Sequence, residues 1–447
     1  MRKLYPFLAL LLLALTVPPV SRAELGAVDA VPAATLLLPY FEVGLENSGD
    51  SRTTLFSINN AKSESVVVHV TLWTILARPS LDFDVFLTGY DVQTYNLADL
   101  FLRGGLPQTP VLPPGQFSED NEVPASCQFP LPNNLPPILQ SYLRNVHTGL
   151  PAPAGFANGG LCGAPSQGEG DAGDFVAKGY ITMDVVNDCS QTFPGDEGYF
   201  GDGGTGVISN NNAIWGDFFL VDPDNAFAQG DNLVHIEAMD SVAEGFWEAG
   251  DYTFYGRYTN FDGSDNREPL ATTWATRYFA GTTGPFVVGS DLFVWRDSAL
   301  NDSEFFQCGT IPAPYPLEQE SVLMWDEEEN HVSINDSPFL TQPNPSSFPL
   351  PLTPPLPPAR PFPLAADRVS VAEIGPLFFN SGWLRLNLNF STGSPQDPIK
   401  QSFVSAMHSA SGQFSVGFQA VALDSALDKT FLVTTAPETT EPGLPGV

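Results

Sequence analysis

His235 and Glu237 stand two apart in the run Leu233 to Ala238, and a strand there puts both side chains on one face. A histidine beside a carboxylate can hold a metal ion or relay a proton. The zinc deaminase partner motif, Pro-Cys-x-x-Cys, is absent, so a hydrogen-bonded pair inside a sheet is the plainer expectation. His69 and His408 fall inside strand candidates and read as structural; His147 and His331 complete the five histidines. Nucleophile and nucleotide motifs are missing: no GxSxG, no HExxH, no P-loop and no GxGxxG after a strand. Gly289-Ser290-Asp291-Leu292 has the letters of a GDSL motif in the wrong order, which removes its chemistry. Carboxylates are plentiful, and Asp82, Asp84, Asp184, Glu237, Glu268 and Asp297 lie near aromatic residues. A carbohydrate-active hydrolase using a carboxylate pair is therefore the alternative function.

Hard cations suit this chain better. Calcium takes several oxygens from carboxylates, amides and loop carbonyls. Asn260, Asp262, Asp265 and Asn266, with Gly263 among them, supply that mixture and form the candidate calcium loop. Asp196-Glu197 with Asp202, and Asp222-Pro-Asp224-Asn225, are weaker versions, and none has EF-hand spacing. Asp, Asn and Gly also make ordinary turns. Asp326 to Glu329 reads as a solvated charge run. Cys127, Cys162, Cys189 and Cys308 are too scattered for a zinc ribbon or a redox pair. An even number in an exported chain implies two disulfides with three possible pairings; Cys127–Cys162 and Cys189–Cys308 are expected.

The elements that would position these residues are mostly strands. Thr53 to Asn59 and Val66 to Thr74 alternate across a polar connection suited to a hairpin, and Phe83 to Leu87 and Val92 to Leu97 repeat the pattern. Further strands are expected at Phe175 to Val186, Leu233 to Ala238, Leu292 to Trp295, Trp383 to Phe390, Phe403 to Met407 and Phe414 to Leu423. In Trp383 to Phe390 the apolar Trp383, Leu384, Leu386, Leu388 and Phe390 stand against Arg385, Asn387 and Asn389, a strand with one wet face. The best helix signal is Pro136 to His147, opened by proline and closed by Gly149. Gly155 to Asp174 and Pro194 to Asn212 read as long acidic loops. The fold class is all-β: antiparallel β-sandwiches with few short helices.

Residues 1–23 read as a signal peptide: Arg2 and Lys3, an apolar run Leu4 to Val17, then Ser21-Arg22-Ala23 before Glu24. The run is short for a membrane span and nothing later approaches that length, so no integral membrane segment is expected once it is removed. The organisation expected is a β-sandwich region at 24–337, a proline-rich connector at 338–363, C-terminal strands at 364–436 packing on the same core, and a flexible tail at 437–447. A formal net charge of −33 repels phosphate and disfavours nucleic acid as a partner. With no catalytic motif, the leading expectation is a secreted or cell-envelope, non-catalytic binding or structural protein, strongly acidic and calcium-stabilised. Its partners would be glycans or other envelope proteins in the periplasm, at the cell surface or in the medium.

Several phrases occur together: Ala34-Thr-Leu-Leu-Leu-Pro-Tyr-Phe41, Val70-Thr-Leu-Trp73, Gly89-Tyr-Asp-Val92, Gly179-Tyr-Ile-Thr-Met-Asp-Val-Val-Asn187 and Asn266-Arg-Glu-Pro-Leu270. By these the chain resembles a group of uncharacterised secreted bacterial proteins, over most of its mature length. That resemblance implies bacterial export and no particular activity. The Thr53–Asn59 and Val66–Thr74 pair is also similar to immunoglobulin-like modules, over the N-terminal part alone.

Overall fold

The computed structural model describes residues 31–45, 52–107 except 76, 115–119, 123–127, 134–148, 153, 175–201, 205–239 except 226, 249–281 except 260, 288–297, 322–334, 366–374, 379–388, 401–410 and 414–423. Residues 1–23, 338–363 and 437–447 lie outside them.

Nineteen strands and two α-helices appear among the described residues. The first strands are β1 (Thr35–Gly44), β2 (Thr53–Asn60), β3 (Val66–Thr74), β4 (Pro79–Leu87) and β5 (Val92–Asn96). Helix α1 (Pro137–His147) follows, then β6 (Val176–Val186), β7 (Ile214–Trp215), β8 (Asp217–Asp222), β9 (Phe227–Asn232) and β10 (Val234–Ile236). Next come β11 (Thr273–Phe279), β12 (Val288–Arg296), β13 (Val322–Trp325), β14 (His331–Ile334) and β15 (Ala366–Ser370). A one-turn α2 (Val371–Ile374) precedes β16 (Ser381–Asn387), β17 (Ser402–Ala410), β18 (Phe414–Gln419) and β19 (Val421–Ala422).

All pairings are antiparallel and fall into four sheets, as the all-β expectation requires. The central sheet runs β10-β1-β6-β3-β4; a second runs β5-β2-β8-β9 with β7 beside β2; a third β15-β12-β17-β18; a fourth β14-β13-β16-β11-β19. Strands from residues 366–423 are therefore threaded between those from 273–334 rather than standing apart. The central sheet is buried on both faces, and every residue of β1 and β3 is buried.

The two expected hairpins do not form. β2 and β3 lie in different sheets, and so do β4 and β5, so both connections are arches between layers. Asn60 ties the arches together: its side-chain amide donates to Glu64 O (2.7 Å) and Thr88 O (3.0 Å), and its Oδ1 accepts from Lys62 N (2.9 Å). Nearly all-buried strands need a cover on each face, which crossing between sheets supplies. The long β1 breaks register between Leu38 and Phe41, around Pro39, as a proline inside a strand demands. The expected cysteine pairing is overturned as well. Cys127 is bonded to Cys189, with Cα atoms 5.1 Å apart, which excludes both expected pairs. Cys162 and Cys308 lie outside the described residues. No helix among the described residues is long and apolar enough to cross a membrane.

Candidate functional site

The chemistry-bearing residues concentrate on one face of the central sheet. Cross-strand register aligns Thr35 of β1, Asp184 of β6, His69 of β3 and Asp84 of β4 in one row. Residues paired this way share a face with Cβ atoms about 5 Å apart. His69 is 0% exposed; its Nδ1–H donates to Asp84 Oδ1 at 2.7 Å, and Asp84 Oδ2 accepts Ser190 N at 3.0 Å. His69 Nε2 has no hydrogen-bond partner among the described residues. Asp184 accepts three hydroxyls: Thr35 at 2.5 Å, Tyr199 at 2.6 Å and Tyr255 at 2.8 Å. Arg267, also fully buried, donates its Nε–H to Thr35 Oγ1 (2.9 Å) and its Nη2 to Ser209 O (2.6 Å).

Burial alone would lower the His69 pKa, but the Asp84 hydrogen bond and the charges of Asp84, Asp82 and Asp184 outweigh it and raise the value above normal. Burial raises Asp82, and it drives the Tyr199 and Tyr255 phenols well up, assisted by Asp184. A histidine between two aspartates has the parts of a proton relay. The His69 ring packs edge-on against Tyr199 at 6.0 Å between centroids, with no exposure to solvent, and both Asp184 oxygens are taken.

Other catalytic parts are equally scattered. Ser80 Oγ lies 2.7 Å from His147 Nε2, and His147 Nδ1–H donates to Lys178 O at 2.8 Å. Burial lowers the His147 pKa to about 4, so this ring is neutral and Nε2 accepts the serine proton. Ser290 Oγ lies 2.7 Å from His408 Nδ1 and also accepts Phe279 N at 2.8 Å. Neither Ser–His pair shares a residue with the His69–Asp84 pair, and all six side chains are buried. Asp297 is paired with buried Arg257 at 2.6 Å and accepts from Tyr252 (2.7 Å) and Gln401 (3.1 Å). Burial lowers the His235 pKa, and Gly216 N lies 3.4 Å from its Nε2; Glu237 stands beyond the end of β10, half-buried.

In the candidate calcium loop, Asp262 is exposed and accepts Ser264 N at 2.8 Å. Asp265 is buried, with Oδ2 on Tyr255 N (2.7 Å) and Oδ1 on Arg267 N (3.2 Å). Burial raises its pKa against the opposing pull of Arg267. Asn266 is buried, and Asn260 lies outside the described residues. The described carboxylates, Asp262 and Asp265, thus accept backbone N–H groups, as in Asx turns. Among the described residues no three His, Cys, Asp or Glu side chains gather in a way that could hold a metal ion.

The open surface with binding character lies elsewhere, on the outer face of the fourth sheet. Register puts His331, Trp325, Trp383 and Arg277 in one row across β14, β13, β16 and β11. The Trp325 and Trp383 rings stack at 4.1 Å between centroids and 5° between planes, and Trp383 keeps 40% of its surface in water. Gly382 makes this possible: a Cβ there would meet Trp325 O at 1.8 Å. Arg277 is turned to Glu327 and the Phe279 ring, leaving Trp383 beside it open. One row along stand Leu323, Arg385 and Ala275, and Arg385 has no ion pair among the described residues. Trp383 therefore shares the wet face with Arg385 and Asn387, not the apolar face expected for it. Period-two alternation from Arg385 was the signal for that placement.

Comparison with protein-family models, with curated proteins and with solved structures returns no match.

Proposed function

We propose that the chain is an exported, non-catalytic binding protein that recognises glycans through the outer face of the β14-β13-β16-β11-β19 sheet. The observation that carries this reading is the stacked Trp325–Trp383 pair held open to water. A large ring left exposed forgoes the ~1.5–3 kcal/mol that burial of a bulky apolar side chain returns. Beside the pair, Arg385 and His331 offer hydrogen bonds to hydroxyl groups, which suits a sugar ring stacked on indole. The separation and burial of the Ser–His and His–Asp pairs support the non-catalytic half. The leader pattern at residues 1–23 and the Cys127–Cys189 disulfide support export. Affinity electrophoresis in gels containing soluble polysaccharides tests the reading, with Trp383→Ala and Trp325→Ala beside the wild type. At least one polysaccharide should retard the wild type, and either substitution should weaken that by roughly tenfold. Unchanged retardation in both variants, or release of reducing sugars by the wild type, would refute it.

A further inference from the structure

The second sheet carries another exposed face with a different construction. Along the β7–β8 line Trp215, Asp217 and Phe219 alternate outward, with Ile214, Phe218 and Leu220 buried beneath. Phe219 is 45% exposed and Trp215 41%. Phe219 is cross-strand from Gly230, and a Cβ on that glycine would meet its ring carbons at 2.4 and 2.5 Å. The ring thus lies down on bare backbone and turns its other face to solvent. Four residues at about 3.3 Å each separate the two aromatics by roughly 13 Å.

Between them runs a row of hydrogen-bonding side chains. Ser57 Oγ donates to Asp217 Oδ1 at 2.6 Å, and Asn59 Nδ2 donates to Ser57 Oγ at 2.9 Å and Trp215 O at 3.2 Å. Thr94 lies opposite Ser57 and Asn232 opposite Asp217, both exposed. The serine and asparagine thereby fix the Asp217 carboxylate, which as an acceptor-only group can take further hydroxyl donors.

We infer that this face is a second glycan-binding site, taking an extended, uncharged polysaccharide laid along Trp215, Asp217 and Phe219. It rests on the glycan reading above only for the class of ligand. A protein partner fits poorly, because protein interfaces are depleted of Asp and Ser, the residues at the centre here. A polyanion fits poorly too, since a carboxylate sits mid-site in a chain of net charge −33. Vicinal hydroxyls answer the Asp217 carboxylate and the exposed Thr94 and Asn232 side chains beside it, and pyranose faces answer the two exposed rings. Two sites on different sheets make the protein a cross-linker of one polymer, with avidity beyond either site alone.

The full exported chain is tested against a neutral β-glucan, a xylan and a galactomannan, by affinity electrophoresis and by turbidity of protein–polymer mixtures. The variants are Phe219→Ala, Trp215→Ala, Gly230→Ala and Trp383→Ala, each checked for an unchanged circular dichroism spectrum. Gly230→Ala keeps every ring but lifts Phe219 off the sheet, so weakened binding there reports the platform itself. Phe219→Ala and Trp383→Ala should each weaken retardation roughly tenfold and abolish turbidity, and the double variant should not bind. Loss confined to the Phe219, Trp215 and Gly230 variants would uphold this site and overturn the one at Trp383. Wild-type binding by those three, with loss in Trp383→Ala, would overturn the second site and leave the first. No retardation of the wild type by any polymer would overturn both.

Discussion

The inner face of the central sheet and the outer face of the fourth sheet invert the usual link between residue type and role. The inner face holds the residues that suggest chemistry: a histidine, two aspartates, an arginine and two tyrosines. Each is buried and bound to another, so their reactivity is spent on holding β1, β3, β4, β6 and two loops together. The outer face holds two stacked tryptophans and Arg385, which has no ion pair among the described residues, and the Trp383 ring meets solvent. Burial, not side-chain identity, separates scaffold from surface here.

The sharpest way to break this comparison is Asp184→Ala. Three hydroxyls lose their acceptor and Arg267 loses a nearby countercharge, so the loss should be on the order of 5 kcal/mol, read by urea unfolding. A variant within 1 kcal/mol of wild type would show that the row is not structural. Replacing Cys127 and Cys189 with serine opens a crosslink spanning 62 residues and should cost about 4 kcal/mol on the chain-entropy estimate. Equal midpoints with and without reductant would sink that.

Two buried histidines should respond to pH with opposite signs. The His147 pKa is lowered to about 4, so the folded state binds fewer protons than the unfolded one. Its contribution is present above pH 6.5 and is lost as pH falls toward 4, by roughly 3 kcal/mol. His147→Gln should flatten that acid limb in a series of urea melts. The His69 pKa is raised, so its contribution is full below pH 6.5 and fades as pH rises through the folded value. The stability gap between wild type and His69→Gln should therefore narrow toward alkaline pH; a widening gap would contradict the Asp84 pairing. The smallest effect is expected at Trp383→Ala, within about 1 kcal/mol in stability while glycan retardation weakens roughly tenfold. A large stability loss there would make Trp383 scaffold after all.

The alternating strand β16 and the proline-opened helix α1 were legible in the sequence because local periodicity reports local burial. Strand β1 was not, since Pro39 in its middle reads as a breaker and only the register shift reconciles it. The arches at residues 61–65 and 88–91 look like hairpin turns, because turn residues say where a chain reverses and not which sheet receives it. Asp265, a candidate calcium ligand by its sequence neighbours, has its oxygens on the amides of Tyr255 and Arg267, a placement set by tertiary folding that the sequence does not show. Nothing in the Trp215-Asp217-Phe219 letters marks an open platform, because the seat of the Phe219 ring is Gly230, in a neighbouring strand.

The placement of β1 also sets a clock. Thr35 bonds to Asp184, 149 residues downstream, and to Arg267, 232 residues downstream. At synthesis speeds of about 5–20 residues per second, the first of these partners arrives roughly 7–30 s after Thr35. Sheets built on such distant contacts also fold slowly, in milliseconds to seconds. The first strand of the described residues is thus among the last to be seated, and until then the apolar stretch Leu36 to Val43 depends on something other than its own fold to stay out of aggregates.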